Sequence, residues 1–217
     1  MDRIGIFARH PVAGRVKTRL SPALPAELAA RLYAAMLEDT LAAARGAELD
    51  RTLWWADDGP ARGDAGLAER RQEGPDLGER MTAAMNAMLV SPIDRAVIVG
   101  SDCPALAVEH FAAAFAAMDG ADVVLGPSED GGYWLVGMRR RTAVAIFRNI
   151  QWSSPTTLTD TLAQAKRAGL PVRTLPTLPD VDTPDDLAGL VAALAAGRRE
   201  SCGPATREAL REMGLVP

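Results

Sequence analysis

Short apolar runs alternate along the chain with longer segments in which apolar residues recur every three or four positions. The runs have the length of buried strands, and the periodic segments are typical of amphipathic helices with one face on a sheet. The predicted strands cover residues 3–8, 51–56, 96–99, 122–125, 133–136 and 172–175. The predicted helices cover residues 25–45, 78–90, 108–118, 155–168 and 184–196, with one more in the tail, residues 201–217.

This alternation predicts an α/β fold of three layers, with a mostly parallel central sheet between two layers of helices. Residues 125–137 depart from the pattern because two short strands follow each other without a helix, which predicts a small antiparallel excursion or edge. Residues 57–76 are predicted to form a long loop that is mobile or covers a site. The 217 residues contain no internal repeat or linker, so we expect a single domain over residues 1–217.

Composition narrows the classes of function. The formal net charge of -4 argues against nucleic-acid binding and against an anionic membrane surface. No apolar run approaches the roughly 18 residues of a membrane span, and the N-terminus lacks the pattern of a signal peptide, so we expect a cytoplasmic protein. Cys103 and Cys202 form no CxxC pair, which predicts neither a disulfide framework nor a zinc site. Cys103 has no base near it in sequence and is expected to be a buried spectator.

A cluster of positive charge follows the first predicted strand. Guanidinium and ammonium groups complement phosphate oxygens, and Gly14 allows the backbone to approach a ligand closely. The spacing fits neither a P-loop nor the dinucleotide-binding fingerprint. We therefore interpret the segment as a phosphate-binding loop of another kind, with a solvated basic loop as the alternative, and His10 would reach a phosphate from it. The cations are Arg9, Arg15, Lys17 and Arg19.

Two carboxylates stand where an apolar run stops. Asp102 follows the predicted strand 96–99, and Asp182 precedes a predicted helix that begins at Pro184. Ligand clefts of α/β sheets lie at the carboxyl ends of the strands. Mg²⁺ commonly takes one or two carboxylates and completes its shell with water and phosphate oxygens. The pair predicts a divalent metal site, although each residue alone is equally suited to cap the following helix.

Two further segments have a composition that suits contacts with a substrate. In Glu129-Asp130-Gly131-Gly132-Tyr133-Trp134, carboxylates stand beside glycines and aromatic rings that suit a sugar or a base, although a tight hairpin without a ligand has the same composition. Residues 72–80 predict a nucleobase contact through Gln72, unless they form only a loop-to-helix junction. His110 lies in a predicted helix and is expected on the surface.

Five segments together resemble a bacterial family of glycosyltransferase-like proteins. They are residues 7–20, Leu77-Gly78-Glu79-Arg80-Met81, Gly100-Ser101-Asp102-Cys103-Pro104, residues 125–134 and Asp180-Val181-Asp182-Thr183-Pro184. The family resembles a branch of the GT-A, Rossmann-like fold of nucleotide-diphospho-sugar transferases, alongside molybdenum cofactor guanylyltransferase and 2-phospho-lactate guanylyltransferase. Two features differ from those classes: no second Asp completes an Asp-x-Asp motif at Asp102, and the first loop lacks the Gly-x-Gly of sugar nucleotidyltransferases.

The resemblance implies roles for the matched residues. Asp102 and Asp182 would bind Mg²⁺ or Mn²⁺ together with the nucleotide. Independently of the resemblance, we predict Asp102, Asp130 and Lys17 as the catalytic residues. The predicted nucleotide- and phosphate-binding residues are Ala8, Arg9, Gly14, Arg15, Lys17, Arg19, Gln72 and Gly78.

Three functions remain open from the sequence. The first is a metal-dependent glycosyltransferase that uses a nucleotide-activated sugar and a small-molecule acceptor, with Asp130 as the base or as an orienting group. The second is a nucleotidyltransferase, in which a phosphorylated acceptor attacks the α-phosphorus of a nucleoside triphosphate; four cations are more than a diphosphate needs. The third is a nucleotide-binding module without activity, which the presence of Asp102, Asp182 and the basic loop together disfavours. The base and the oligomeric state stay open, a homo-oligomer included.

Overall fold

The computed structural model describes residues 1–217, and its centre is a seven-stranded sheet in the order β3-β2-β1-β4-β6-β5-β7. Six strands run in one direction, and β6 alone pairs antiparallel, with β4 on one side and β5 on the other. The strands are β1 (Asp2–Ala8), β2 (Asp50–Trp55), β3 (Ala68–Arg71), β4 (Arg95–Val99), β5 (Val123–Pro127), β6 (Tyr133–Met138) and β7 (Val172–Thr174).

Helices cover both faces of this sheet. The six α-helices are α1 (Ala26–Gly46), α2 (Leu77–Met88), α3 (Val108–Ala117), α4 (Thr157–Arg167), α5 (Pro184–Ala195) and α6 (Pro204–Glu212), with short 3-10 helices at Thr18–Leu20, Arg141–Phe147 and Arg199–Ser201. Side chains of α1 and α3 pack on one face, and those of α2, α4 and the second 3-10 helix pack on the other. Helices α5 and α6 pack against α1. None of the helices combines the length and the apolar content that a membrane crossing requires.

The central strands bury both of their faces, which explains why they read as continuous apolar runs. In β4, Val97 and Val99 pack towards α1 and α3, whereas Ala96 and Ile98 pack towards α2. A fully buried Val or Ile contributes roughly 1.5–3 kcal/mol, so these short strands are strongly specified by burial.

The predicted α/β fold is confirmed, and every predicted strand and helix is present. One expectation needs correction. Residues 68–71 form β3 inside the predicted loop 57–76; three of its four residues are charged, as is common in edge strands, so no apolar pattern indicated it. The predicted antiparallel excursion is confirmed: of the two alternatives, an excursion or an edge, the structure has the first, because β6 lies between β4 and β5.

The order of the strands determines where ligands can bind. Strand β1 pairs with β2 on one side and β4 on the other, and Ile6 lies opposite Val99 near the carboxyl ends of β1 and β4. The strand order changes direction at this position, where α/β sheets form a crevice for ligands. The loops after β1 and β4 therefore meet at the carboxyl ends of these two central strands.

Candidate functional site

A cavity of about 600 Å³ opens at the carboxyl ends of β1 and β4, and we call it the larger cavity. Cations dominate its polar wall: Arg9, Arg15, Lys17, Arg19 and Arg80, against the carboxylates of Asp102 and Asp182. The structure therefore brings together the predicted basic loop and both predicted metal ligands, although they are as far as 165 residues apart in the chain.

Lys17 joins the two carboxylates. Its Nζ contacts Asp102 Oδ1 and lies 3.0 Å from Asp182 Oδ1, and Arg19 Nη1 lies 3.0 Å from Asp182 Oδ2. The Lys17 side chain is only 3% exposed. Burial alone would lower the pKa of Lys17, but the charges of Asp102 and Asp182 raise it above its ordinary value. Lys17 is thus a permanent buried cation between two acids.

In the basic loop, residues 9–20, the residues on either side of Lys17 hold its side chain in the cavity. Lys17 has a left-handed backbone with φ 49°, which is uncommon for a residue other than glycine. Val16 and Leu20 on either side of it are buried in an apolar cluster with α1 and α5. Because this cluster fixes the chain on both sides, the strained residue between them keeps its side chain in the cavity.

The segments that carry the two carboxylates are joined through their backbones. The N–H of Val181 donates to the carbonyl of Asp102 at 3.0 Å. The N–H of Asp182 donates to Asp186 Oδ2 at 2.9 Å, and Thr183 is the N-cap of α5. The Asp182 carboxylate is therefore not needed to cap α5 and faces the cavity.

Asp102 is also free of a capping role. The N–H of Ala107, at the start of α3, donates to His110 Nδ1 at 2.9 Å. His110 is half-buried and packs edge-on against Trp134, with ring centroids 5.4 Å apart, so its predicted surface position needs correction. Asp102 therefore does not cap α3, and its half-exposed carboxylate lines the larger cavity.

The two carboxylates fit an ion of the Mg²⁺ type. The side chains of Asp102 and Asp182 are 49% and 38% exposed, and both converge on one cation, Lys17 Nζ. Their hard oxygen donors suit Mg²⁺ or Mn²⁺. No group of three or more His, Cys, Asp or Glu side chains is arranged to hold a metal. The donor set therefore suits an ion that takes its remaining ligands from water and phosphate, and not one enclosed by protein.

Tyr33 is part of the site although the sequence did not indicate it. Its hydroxyl accepts a hydrogen bond from the N–H of Arg9 at 2.8 Å and lies 2.9 Å from Ser101 Oγ. Burial and the nearby charge of Asp102 raise the pKa of Tyr33, which stays a neutral phenol. Tyr33 lies on the buried face of α1, where the sequence pattern indicates only a residue of the hydrophobic core. It connects the loop after β1 to the loop after β4.

A smaller cavity of about 260 Å³ adjoins the larger one, and we call it the smaller cavity. The two share Asp102, Tyr133, Trp134 and Ser153 among their lining residues. Asp130, predicted to be catalytic, lies here with Asp180. Burial, followed by the charge of Asp130, raises the pKa of Asp180 to about 6.

Cys103 lines the smaller cavity and is buried. Burial and the charge of Asp102 raise the pKa of its thiol well above the ordinary range. The thiolate form that a nucleophile requires is therefore disfavoured.

Three other predicted residues lie off the cavity walls. Gly78 packs under Trp152, where a Cβ would come within 2.8 Å of Trp152 Cζ2, so its small size serves packing. Gly14 forms an exposed turn with φ +75°.

His10 stacks on Trp55 with ring centroids 4.0 Å apart, and its Nδ1 lies 2.9 Å from an Asp57 carboxylate oxygen. The expectation that His10 reaches a phosphate is therefore corrected.

Ala8 and Gln72 do line the larger cavity. The side-chain amide of Gln72 donates to the carbonyl of Trp54 at 2.9 Å. This bond holds Gln72 in place at the rim of the sheet. Residues 152–154, which line the smaller cavity, were not indicated by any motif.

Comparison with protein families gives a match over residues 27–154 to the model described as "Uncharacterized protein conserved in bacteria (DUF2064)". Comparison with curated proteins gives no match. Among solved structures, a protein of Desulfovibrio desulfuricans G20 that is provisionally named a nucleotide-diphospho-sugar transferase has a TM-score of 0.86 and 32% identity. The match covers 99% of this chain and 96% of that one.

Two more distant structures share the fold. Rv0371c from Mycobacterium tuberculosis H37Rv has a TM-score of 0.55 and 20% identity over 87% of this chain and 96% of that one, and a complex of it with manganese is known. CMP:2-keto-3-deoxy-manno-octonic acid synthetase complexed with CTP has a TM-score of 0.53 and 15% identity, covering 90% and 99%. The predicted nucleotide-diphospho-sugar transferase fold is confirmed.

Proposed function

The chain belongs to the DUF2064 family, and from its fold and the chemistry of its cleft we propose that it is a metal-dependent glycosyltransferase. Its donor is a nucleotide-activated sugar, and its acceptor is a small molecule. The observation that carries the proposal is the convergence of Lys17, Asp102 and Asp182 in one cavity at the carboxyl ends of β1 and β4.

The larger cavity suits the nucleotide diphosphate of the donor. Its volume of about 600 Å³ lies in the usual range for small-molecule sites. Arg15 is exposed at its rim, where a guanidinium can form paired hydrogen bonds with phosphate oxygens. The buried charge of Lys17 adds a fixed cation at its floor. Gln72 and Phe7 also line this cavity and offer a polar and an aromatic contact suited to a base.

Asp102 and Asp182 would hold Mg²⁺ or Mn²⁺. When bound, such an ion supplies Lewis-acid neutralisation of the charge on a diphosphate. Both side chains remain accessible from the cavity, so the ion and the nucleotide can arrive together.

The proposed reaction is transfer of the sugar to an acceptor hydroxyl. A bond forms between the acceptor oxygen and the anomeric carbon, and the bond from that carbon to the diphosphate oxygen breaks with its electron pair leaving on the nucleoside diphosphate. Lys17 and Arg15 stabilise the charge that develops on the leaving group. Asp130, in the smaller cavity, accepts the proton of the acceptor hydroxyl or orients that hydroxyl.

A nucleotidyltransferase is the second candidate, favoured by the count of cations in the larger cavity. Arg80 joins the four cations of the basic loop, and five positive charges suit a triphosphate. In that reaction an acceptor phosphate oxygen attacks the α-phosphorus, and pyrophosphate leaves.

Product analysis separates the two candidates. The full-length protein is incubated with UDP- and GDP-sugars, and separately with each nucleoside triphosphate, with and without Mg²⁺ and with a panel of sugars and sugar phosphates. We expect Mg²⁺-dependent release of a nucleoside diphosphate from one of the nucleotide sugars. Release of pyrophosphate would support the second candidate. Nucleotide binding without release of either product would overturn the assignment as a transferase.

A further inference from the structure

The smaller cavity carries negative charge only. Its lining includes Asp102, Asp130 and Asp180, and it contains no Lys, Arg or His. The larger cavity, which shares one wall with it, is lined by five cations. A ligand that spans both cavities therefore meets opposite electrostatic environments at its two ends.

No cation neutralises the two acids that belong to the smaller cavity alone. Neither Asp130 nor Asp180 takes part in a salt bridge, whereas Asp102 faces Lys17 at the boundary. Asp130 Oδ1 accepts hydrogen bonds from Ser128 Oγ at 2.6 Å and from the N–H of Gly132 at 2.8 Å. These neutral donors leave the charge of Asp130 available to a ligand.

The remaining lining supplies aromatic planes and hydroxyl groups. Trp134 and Trp152 provide the planes, and Ser153 and Ser154 provide hydroxyls. Convergent hydrogen-bonding groups beside apolar rings are the usual lining of a site for a polar small molecule. The carboxylates add acceptors for hydroxyl or ammonium protons.

Tight backbone contacts build this cavity into the fold. At Gly131, with φ +87°, a Cβ would lie 2.2 Å from the carbonyl oxygen of Pro155. The N–H of Leu158 donates to the carbonyl of Gly131 at 2.9 Å. The turn that carries Asp130 is thus fixed against the loop that carries Ser153 and Ser154, and the cavity exists before any ligand binds.

We propose that the smaller cavity binds the acceptor and selects one without negative charge, a sugar or polyol with free hydroxyls, with or without an amino group. The identification of this ligand as the acceptor rests on the proposed transferase function. The charge selection rests on the lining alone, because a phosphate seated there would face uncompensated carboxylates at short range. The same wall disfavours a phosphorylated acceptor at this position.

Binding measurements test the proposal without any turnover. The wild-type protein, with Mg²⁺ and saturating inorganic pyrophosphate to occupy the larger cavity, is titrated with glucose, glucosamine and mannitol and with the monophosphate of each. Saturation-transfer NMR and the fluorescence of the cavity tryptophans report binding. We expect uncharged or amino probes to bind and their phosphates to bind at least about tenfold more weakly. Failure of every uncharged and amino probe to bind, or equal or tighter binding of the phosphates, would overturn the proposal.

Two double variants test which acidic side chains cause the preference against phosphorylated ligands. Asp130→Asn with Asp180→Asn removes two charges at nearly constant volume and keeps the oxygen that Asp130 uses in its turn. We expect the preference against phosphates to shrink about tenfold in this variant. The control, Glu129→Gln with Asp185→Asn, removes two exposed charges outside both cavities and should keep the preference. Equal preferences in the two double variants would contradict the assignment.

The two proposals fail separately. If no nucleoside diphosphate or pyrophosphate is ever released but the probes bind as expected, the transferase function fails and the charge selection stands. If product forms only with phosphorylated acceptors, the transferase function stands and the charge selection fails.

Discussion

The two adjoining cavities of this protein are held together by different forces. The larger cavity is organised by ion pairs: Lys17 is buried between Asp102 and Asp182, and its charge is compensated on both sides. The smaller cavity is held by close packing of the backbone: at Gly131 the turn between β5 and β6 lies directly against Pro155. We infer that loss of a charge disturbs the first cavity and that loss of a glycine disturbs the second.

The difference follows from which loops the sheet brings to its edge. Parallel strands deliver all their following loops to the same edge, so neighbouring loops of opposite charge can meet there. The loop after β1 supplies cations, whereas the β5–β6 turn and residues 180–182 supply acids. Asp102, after the central strand β4, lies on the boundary.

The largest effect is expected at that boundary. Asp102→Asn removes the charge that both cavities share, and we expect the rate of metal-dependent product release to fall about 10²- to 10³-fold, as when one electrostatic contact to a transition state is lost. Metal-dependent nucleotide binding should fall with it, while circular dichroism stays unchanged. The matched change Asp185→Asn, at an exposed acid outside both cavities, should leave the rate as it is. Unchanged metal-dependent affinity in Asp102→Asn would rule out its role as a metal ligand.

A change at Lys17 should affect nucleotide and metal in opposite directions. Lys17→Met removes a phosphate contact, and we expect nucleotide affinity to fall by roughly tenfold or more. In the absence of nucleotide the same variant should bind Mn²⁺ more tightly than wild type, because the ammonium no longer competes for Asp102 and Asp182. Titration followed by electron paramagnetic resonance measures this.

The control for that prediction is Arg15→Met. Arg15 lines the same cavity but pairs with neither carboxylate, so nucleotide affinity should fall while Mn²⁺ affinity keeps its wild-type value. Weaker Mn²⁺ binding in Lys17→Met than in wild type would show that Lys17 does not occupy the position of the metal.

A glycine substitution should disturb the smaller cavity alone. Gly131→Ala places a methyl group against Pro155 in a left-handed turn, and we expect a loss of about 3 kcal/mol in the free energy of unfolding. Gly197→Ala has the same backbone strain, with φ +83° and no atom within 4 Å of the added methyl group, and should cost about 1 kcal/mol. Urea unfolding measures both. Equal losses would show that contact with Pro155 does not fix the turn.

The smallest effect concerns a carboxylate that serves stability and not ligands. Hydrogen bonding from Arg3 holds the pKa of Asp94, at the amino end of β4, well below its usual range. Its contribution is therefore present at neutral pH and is lost as the pH falls below about 4. We expect the Tm of wild type to decrease between about pH 4 and pH 2, and that of Asp94→Asn to decrease less. Parallel Tm profiles for the two proteins would contradict this.

Sequence alone predicted the positions that follow apolar runs and missed those that depend on packing between elements. Asp102 and Asp182, which the structure places in one cavity, were predicted because the end of a buried strand and the start of a capped helix can be recognised locally in the sequence. Tyr33 was missed since its spacing in α1 is that of core residues. Gly78 was assigned to the nucleotide, but only the structure shows Trp152 above it.

The antiparallel direction of β6 determines which part of the cleft can change in sequence while the sheet stays as it is. A five-residue turn, residues 128–132, joins β5 directly to β6, and no helix follows β5. One side of the cleft is therefore formed by a short hairpin turn. Exposed residues of this turn, such as Glu129 and Asp130, can be exchanged without moving the strands behind it, whereas Gly131 is held against Pro155. We therefore expect exchanges in this turn to change the lining of the smaller cavity and to leave that of the larger cavity as it is.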